Sequence, residues 1–326
     1  MIEPPDLEVL TAFIVTVRKE ASTSRVIPSP GELLLRAGRF FQGAPYAART
    51  LEVPGPEALV INLRTFDCFT LVENCCALAL LARQIIAGIR AGNRHRPVAA
   101  NKAISKEEGS GRKGFIPSPR QGRPDVPAAS AAKDQLGEDA LLPPPDLSPE
   151  RLAVSFAALL RTLRYRDGVI AGFASRLHYF SDWLGENERK GLIRNVTARL
   201  GGRPAPKVMD FMTQHRELYP PLGNADIRRE IWEIERRLSA SPRPVLTKEE
   251  IALWEGKITP GDLVAIATHE EGLDVTHAGL AIRRGGRLHL LHASSQAGRV
   301  IISPETLAAY LEAQDNRAGI IVARLR

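Results

Sequence analysis

The chain has 326 residues, 44 Lys and Arg against 37 Asp and Glu, a net charge of +7, and 44% hydrophobic but only 6% aromatic residues. That apolar content is ample for a core and excludes a chain that is disordered throughout, while the length accommodates two domains or one elaborated domain. An excess of +7 without a clustered basic patch excludes nucleic acid as the expected partner.

The opening Met1-Ile-Glu-Pro-Pro-Asp6 has no basic segment, and Asp6, Glu8 and Arg18 interrupt any apolar run, so no secretory signal is expected. Leu7, Leu10, Phe13, Ile14 and Val17 recur at helical spacing and predict a first amphipathic helix. Ser29-Pro-Gly-Glu32 reads as a capping box with proline at the first helical position, opening a helix to about Phe41. Gly43-Ala-Pro-Tyr46 breaks it. Phe66 to about Ala87 reads as a long, largely buried helix with Asp67 near its start. Its apolar run, Cys75 to Ala82, is far shorter than the roughly 20 residues that span a bilayer, so no transmembrane segment is expected.

Residues 93–149 differ in texture. These 57 residues hold 9 prolines, 5 glycines and one aromatic, Phe115, and read as a disordered surface insertion. Ser148-Pro149 then opens a helix to about Arg164, and Tyr165-Arg-Asp-Gly168 turns the chain. Ser175 to Glu188 reads as a short helix with Tyr179, Phe180 and Trp183 on one side. Residues 224–240 form a charged amphipathic helix with Ile227, Ile231, Ile234 and Leu238 as its stripe, and Thr247 with Glu250 makes another capping box.

After Pro260 strands take over. Gly261 to Ala267, Leu273 to Arg283 and Arg287 to Ser294 read as strands, the last two joined through Arg284-Gly285-Gly286. Pro304 to Gln314 reads as a helix and Gly319 to Arg324 as a final strand. Helices first and antiparallel strands last is an α+β pattern. The expected organisation is one catalytic domain made of residues 1–92 and 150–326, interrupted by the 93–149 insertion.

The cysteines are Cys68, Cys75 and Cys76. On one helix Cys68 and Cys75 would stand about 10 Å apart along the axis, beyond the roughly 7 Å Cα separation that a disulfide bridges. Cys75 and Cys76, in mid-helix, read as core. Cys68, at the helix start, would see unpaired N–H groups and the helix dipole, which lower a thiol pKa and favour a nucleophile.

The hairpin carries His277 and His292. With Arg284-Gly285 as a two-residue loop the two histidines are direct cross-strand neighbours, and with Gly285-Gly286 they are diagonal on the same face. A three-residue loop would put them on opposite faces. Gly279 and Ala281 on that face are small enough to admit a helix end. A thiol, an imidazole to take its proton and a third group to fix the imidazole's tautomer make a nucleophilic hydrolytic set. His289 has the opposite parity to His292 and should face away.

Phe66-Asp-Cys68 opening a helix, Pro260-Gly-Asp-Leu-Val264, His277-Ala-Gly-Leu-Ala281 and Leu291-His-Ala293 resemble, in order, NlpC-type papain-like cysteine peptidases. Longer strings resemble the N-acetylmuramoyl-L-alanine amidase-like family from about residue 28 to the end of the chain, outside the insertion. They are Pro45-Tyr-Ala-Ala-Arg-Thr-Leu-Glu52, Asn62 to Asn74, Tyr165-Arg-Asp-Gly168, Ser175 to Trp183 and Gly272 to Gly279. The resemblance implies a papain-like core with the nucleophile helix packed on an antiparallel sheet or small barrel, plus extra helices. It implies Cys68 as nucleophile, His277 as base, His292 as orienter and Tyr46 as an oxyanion donor. It also implies Ser175, Arg176 and His178 as a wall of the substrate groove, with Arg176 suited to a peptide carboxylate.

The expected activity is cysteine-dependent hydrolysis of an amide bond in peptidoglycan-derived peptides, through a thioester and without a metal or other cofactor. The family setting is the cell envelope or periplasm, although the chain as written shows no export signal and a cytoplasmic place stays open. Two other classes fit the same residues. One is a zinc hydrolase using Cys68, His277 and His292 as ligands. The other is a non-catalytic cell-wall-binding module.

Overall fold

Helical periodicity governs the first half of the chain and strand alternation the last quarter. The computed structural model describes residues 2–23, 26–94 and 147–326. The chain divides into two units, residues 1–87 with 146–326, and residues 88–145. The 93–149 insertion read from the sequence lies, except at its two ends, outside the described residues. The first unit contains all that follows except the end of the helix that continues past residue 87.

The opening stripe forms α1 (Pro4–Thr23), which buries Leu10, Phe13, Ile14 and Val17. Asp6 on its first turn is fully buried and accepts from the Leu63 N–H at 2.8 Å and from Arg64 Nε at 3.1 Å. This pins the segment leading to Cys68. The Ser29/Glu32 capping box is formed and starts α2 (Pro30–Phe40). A Cβ on Gly38 would stand 2.8 Å from a Leu280 methyl and 3.0 Å from a Leu291 methyl. Glycine there lets α2 lie directly on the sheet.

The long buried helix is α3 (Cys68–Arg94). Leu71, Val72 and Cys75 to Leu78 on it have no solvent exposure. Its Cys68–Arg90 portion is, by length and composition, the one candidate membrane span among the described residues, yet 83% of its most apolar window is buried inside the protein. It is a core helix here.

Next come α4 (Pro149–Arg164) and α5 (Phe180–Arg189). The sequence places the start of α5 at Ser175, five residues too early. Phe173–Ser175 is a separate 3₁₀ turn and Arg176 is extended. Further along are the short α6 (Phe211–Gln214), the amphipathic α7 (Ala225–Ser239), the one-turn α8 (Ile251–Trp254) and α9 (Leu307–Glu312). On α7, Ile231 and Leu238 are buried as read, and so is Glu235, which accepts from Tyr179 Oη at 2.7 Å and from the Met212 N–H at 3.0 Å.

The strands are β1 (Ile193–Asn195), β2 (Arg203–Ala205), β3 (Arg243–Thr247), β4 (Leu263–Thr268), β5 (Val275–Arg284), β6 (Arg287–Ser294), β7 (Arg299–Ile302) and β8 (Arg317–Leu325). They form one eight-stranded sheet in the order β2-β3-β8-β4-β5-β6-β7, with β1 also pairing β8, and every pairing is antiparallel. The protein is α+β with an antiparallel sheet and many helices. β1, β2, β3 and β7 are three to five residues long and escape a sequence reading that needs several alternations to see a strand.

The hairpin turn decides the geometry of the histidines. Gly285 and Gly286 have φ of +54° and +81°, and Arg284 pairs with Arg287, so Gly285-Gly286 is the two-residue loop. His277 and His292 are therefore diagonal, not directly opposed. Gly279 has a different reason to be small from the one read in the sequence. A Cβ there would meet the Leu291 carbonyl oxygen at 2.7 Å and the Leu290 side chain at 2.9 Å, so the neighbouring strand claims the space, not a helix end.

Candidate active site

Cys68 is the first residue of α3, and the residues around it build the helix start. Asp67 Oδ1 accepts from the N–H groups of Phe69 at 3.0 Å and Thr70 at 2.7 Å. Thr70 Oγ1 in return accepts from the Asp67 N–H at 3.0 Å. This reciprocal cap satisfies donors that a helix start otherwise leaves open.

The Cys68 sulfur lies among the backbone N–H groups of Ala278, Cys68 and Phe69. Ala278 directly follows His277 on β5, so the helix start is seated against the histidine strand. Those N–H groups favour the thiolate, as expected of a helix start. Burial outweighs them and, with the Asp67 carboxylate adding to it, pushes the thiol up to about 12. The lowered thiol pKa expected from the helix start is thus reversed in the resting site. Cys75 and Cys76 are fully buried free thiols in the core.

His277 Nε2 and His292 Nδ1 stand 2.6 Å apart, with the ring planes at 90° and the centroids 4.8 Å apart. One of these nitrogens carries the shared proton. If His277 Nε2 donates it, His277 Nδ1 keeps a lone pair for a thiol proton, and His292 is the acceptor that fixes this tautomer. Burial, then the charges of His292 and Arg317, lowers His277 to about 3. Burial and Arg317 lower His292 to about 4. Both imidazoles are neutral at pH 7. The 2.6 Å contact also bears on the zinc alternative. Two nitrogens on one tetrahedral zinc, with bonds of about 2.0–2.1 Å, stand roughly 3.3 Å apart. Among the described residues no group of three His, Cys, Asp or Glu side chains is arranged to hold a metal.

Tyr46 is brought in by the backbone. The Phe66 N–H donates to the Pro45 carbonyl at 3.1 Å, and the Ala47 N–H donates to the Phe66 carbonyl at 2.9 Å. This bridge holds Tyr46 alongside the residues immediately before Cys68. Burial first, then the nearby Cys68 and Asp67, raises the Tyr46 phenol pKa, so it stays a hydrogen-bond donor at neutral pH.

A cavity of about 220 Å³ lies beside the start of α3, with Asp67, Phe69, Glu73, Arg176, His178 and Tyr219 in its wall. Arg176 and His178 are thus placed together, but each is already engaged. Arg176 is 4% exposed, donates to the Leu51 carbonyl at 3.1 Å and to Glu52 at 3.3 Å, and lies over the Phe173 ring. His178 Nε2 donates to the Phe173 carbonyl at 2.9 Å, which leaves Nδ1 as an acceptor, and burial with the Arg176 charge lowers the ring to about 3. Ser175 is not part of that wall. Its hydroxyl donates to the Gly172 carbonyl at 2.6 Å and accepts from the Ala171 N–H at 3.0 Å, closing the turn before Arg176. His289 does face away from His292. It is buried and bonded at 3.0 Å to the Ser303 carbonyl.

Two residues of the site escape the sequence reading. Tyr310 on α9 sets its ring 5.6 Å from that of His292 and 6.1 Å from that of His277. Arg317 at the start of β8 lies over Tyr310, with its guanidinium carbon 3.9 Å from the ring centroid. Neither sits in a motif, and only the packing of α9 on the sheet brings them to the histidines.

A helix start carrying a thiol and a coupled imidazole pair thus lie near a cavity, and the family comparison shows a hydrolase of the amidase class. The model of the N-acetylmuramoyl-L-alanine amidase-like family matches residues 36–87 and 147–320, and the chain belongs to that family. Among solved structures it is similar to an N-acetylmuramoyl-L-alanine amidase from Bacteroides uniformis, with 28% identity and a TM-score of 0.67 over 91% of this chain and 99% of that one. A candidate xylanase from Bacteroides fragilis is 30% identical, with a TM-score of 0.64 over 89% and 99%. A Legionella pneumophila protein of the DUF1460 family shares the fold at 17% identity, with a TM-score of 0.59 over 98% and 94%. No curated protein matches the chain.

Proposed function

We propose that this hydrolase is a cysteine amidase of the NlpC-type papain-like kind, acting on an amide bond in peptidoglycan-derived peptides at the cell envelope. The observation that carries this reading is the meeting of Cys68, at the start of α3, with the strand that holds the hydrogen-bonded His277–His292 pair. The family and the Bacteroides amidase support the substrate class.

In this mechanism the resting thiol and imidazole are both neutral. As Cys68 Sγ attacks the amide carbonyl, its proton passes to His277 Nδ1, and the Nε2–H bond to His292 strengthens as positive charge develops. Tyr46 Oη and the Cys68 N–H donate to the developing oxyanion, a contribution of about 3 kcal/mol for one well-placed donor. The tetrahedral intermediate breaks its C–N bond as His277 returns the proton to the leaving amine, giving a thioester. His277 then takes a proton from water, the hydroxide adds to the thioester carbonyl, and collapse breaks the C–S bond as His277 returns the proton to sulfur, freeing the acid and the thiol. Arg176 and His178 wall the cavity that receives the peptide beside the reacting bond.

Digestion of purified muropeptides, followed by mass spectrometry of the products, tests the reading and identifies the bond cut. Wild-type protein yields a product pair that differs from its substrate by one water, and Cys68→Ala yields none. Turnover by Cys68→Ala at the wild-type rate would overturn the assignment.

A further inference from the structure

The two flanking residues that no motif announces stand in a definite order. Arg317 lies over the Tyr310 ring, 3.9 Å from guanidinium carbon to centroid, and its Nη1 also donates to the Tyr310 carbonyl oxygen. Tyr310 in turn presents its ring to both imidazoles, edge-on to His292 at 77° and tilted by 33° to His277. A stack of guanidinium, phenol and paired imidazoles therefore runs from β8 through α9 to β5 and β6.

The rest of the surroundings of the pair is mostly neutral. β4 sets Ile266 opposite His277, and β7 sets Ile301 opposite His292. The titratable groups nearby are Cys68 and Asp67 at the start of α3, Tyr46, Tyr310 with Glu305 before α9, and Arg317. Of these, Arg317 is the fixed cation whose charge reaches both imidazoles.

Resting on the cysteine-amidase reading, we propose that Tyr310 and Arg317 form a positioning device that holds His292 in place as the hydrogen-bond acceptor of His277. The need is specific. His292 can fix the useful tautomer of His277 only while its Nδ1 keeps a lone pair. A protonated His292 would present N–H to N–H across 2.6 Å, and the base would be lost. Burial opposes that protonation first, and the neighbouring guanidinium adds like-charge repulsion. The Tyr310 ring between them keeps the guanidinium stacked, at a distance where it acts by charge and makes no direct bond to the imidazoles. Neither residue needs to touch the substrate.

The test is the pH dependence of kcat/KM for muropeptide hydrolysis, with His292 followed in parallel by imidazole NMR in the Cys68→Ala protein. Arg317→Gln should move the acid limb, and the His292 titration, upward by about one pH unit, the effect of removing one unit charge at this range. Arg317→Lys keeps the charge and should restore both. Tyr310→Phe keeps the ring and should leave both near wild type, whereas Tyr310→Leu should lower kcat with little change in KM. An Arg317→Gln protein that is folded by circular dichroism, with acid limb and titration unmoved, overturns the proposal. So does Arg317→Lys behaving like Arg317→Gln. If Arg317→Gln does not fold, the Arg317→Lys and Tyr310 pair decides. Loss of the cysteine-amidase reading would show separately, as activity that survives Cys68→Ala.

Discussion

Replacing His292 by Ala isolates the tautomer argument. The change removes the 2.6 Å acceptor of His277 Nε2 and leaves a small void where a 3% exposed ring had been. In the transition state that hydrogen bond becomes charge-assisted, a class worth about 1.5–3 kcal/mol, or roughly 10- to 150-fold in rate. Loss of the correct tautomer adds to this, and disabling an orienting group of this kind in a serine protease costs about 10⁴ in kcat. The expected loss in kcat is therefore at least 10²-fold, with KM within a few-fold of wild type because His292 lies behind His277. Stopped muropeptide digests resolved by liquid chromatography give kcat and KM, and thermal unfolding checks that the fold is intact. His292→Asn, which can still present an acceptor, should recover part of the loss. A folded His292→Ala protein with kcat within three-fold of wild type would refute the orienting role and the choice of His277 as base.

Tyr46→Phe removes one proposed oxyanion donor and keeps the ring. It should lower kcat by roughly 10²-fold at unchanged KM, and an unchanged kcat would remove Tyr46 from the mechanism. Stability should fall as the medium is acidified. His292 ionises at about 4 when folded but near 6.5 when unfolded, so the unfolded chain binds more protons between those values. The full contribution of the neutral ring is present above pH 6.5 and is lost as pH falls toward 4, by roughly 2 kcal/mol at pH 5. Unfolding midpoints at pH 7 and pH 5 should therefore converge in His292→Asn relative to wild type, and an identical drop in both proteins would contradict the assignment.

Much of the fold is legible because its signals are local. Capping boxes at Ser29 and Thr247 and the stripes of α1 and α7 are written within a turn or two of the element they start or bury. The hairpin register is legible to within one ambiguity, and two positive φ angles at Gly285 and Gly286 resolve it. What stays hidden depends on partners distant in sequence. Glu235 on α7 looks like one more surface charge until Tyr179, Met212 and Thr213 are found donating to it. Arg176 looks free to bind a substrate carboxylate until Glu52 is placed against it. Tyr310 and Arg317 belong to no pattern at all, since α9 and β8 meet the histidines only in the folded sheet.

The same contrast explains the thiol. Position in sequence supplies the terms that stabilise a thiolate, the N–H groups at the start of α3. The terms that oppose it come from tertiary packing around the half-buried Cys68 and from the neighbouring Asp67, whose side chain also caps the helix start. Asp67, one residue before the proposed nucleophile, therefore both anchors the helix start and opposes ionisation of the thiol. With burial first, and Arg317 after it, disfavouring the charged form of both imidazoles, neither partner is charged at rest. In the proposed mechanism, charge separation arises only when a carbonyl is present to accept the sulfur and Tyr46 to meet the oxyanion. In that mechanism the reactivity of Cys68 depends on a substrate that brings the carbonyl to it.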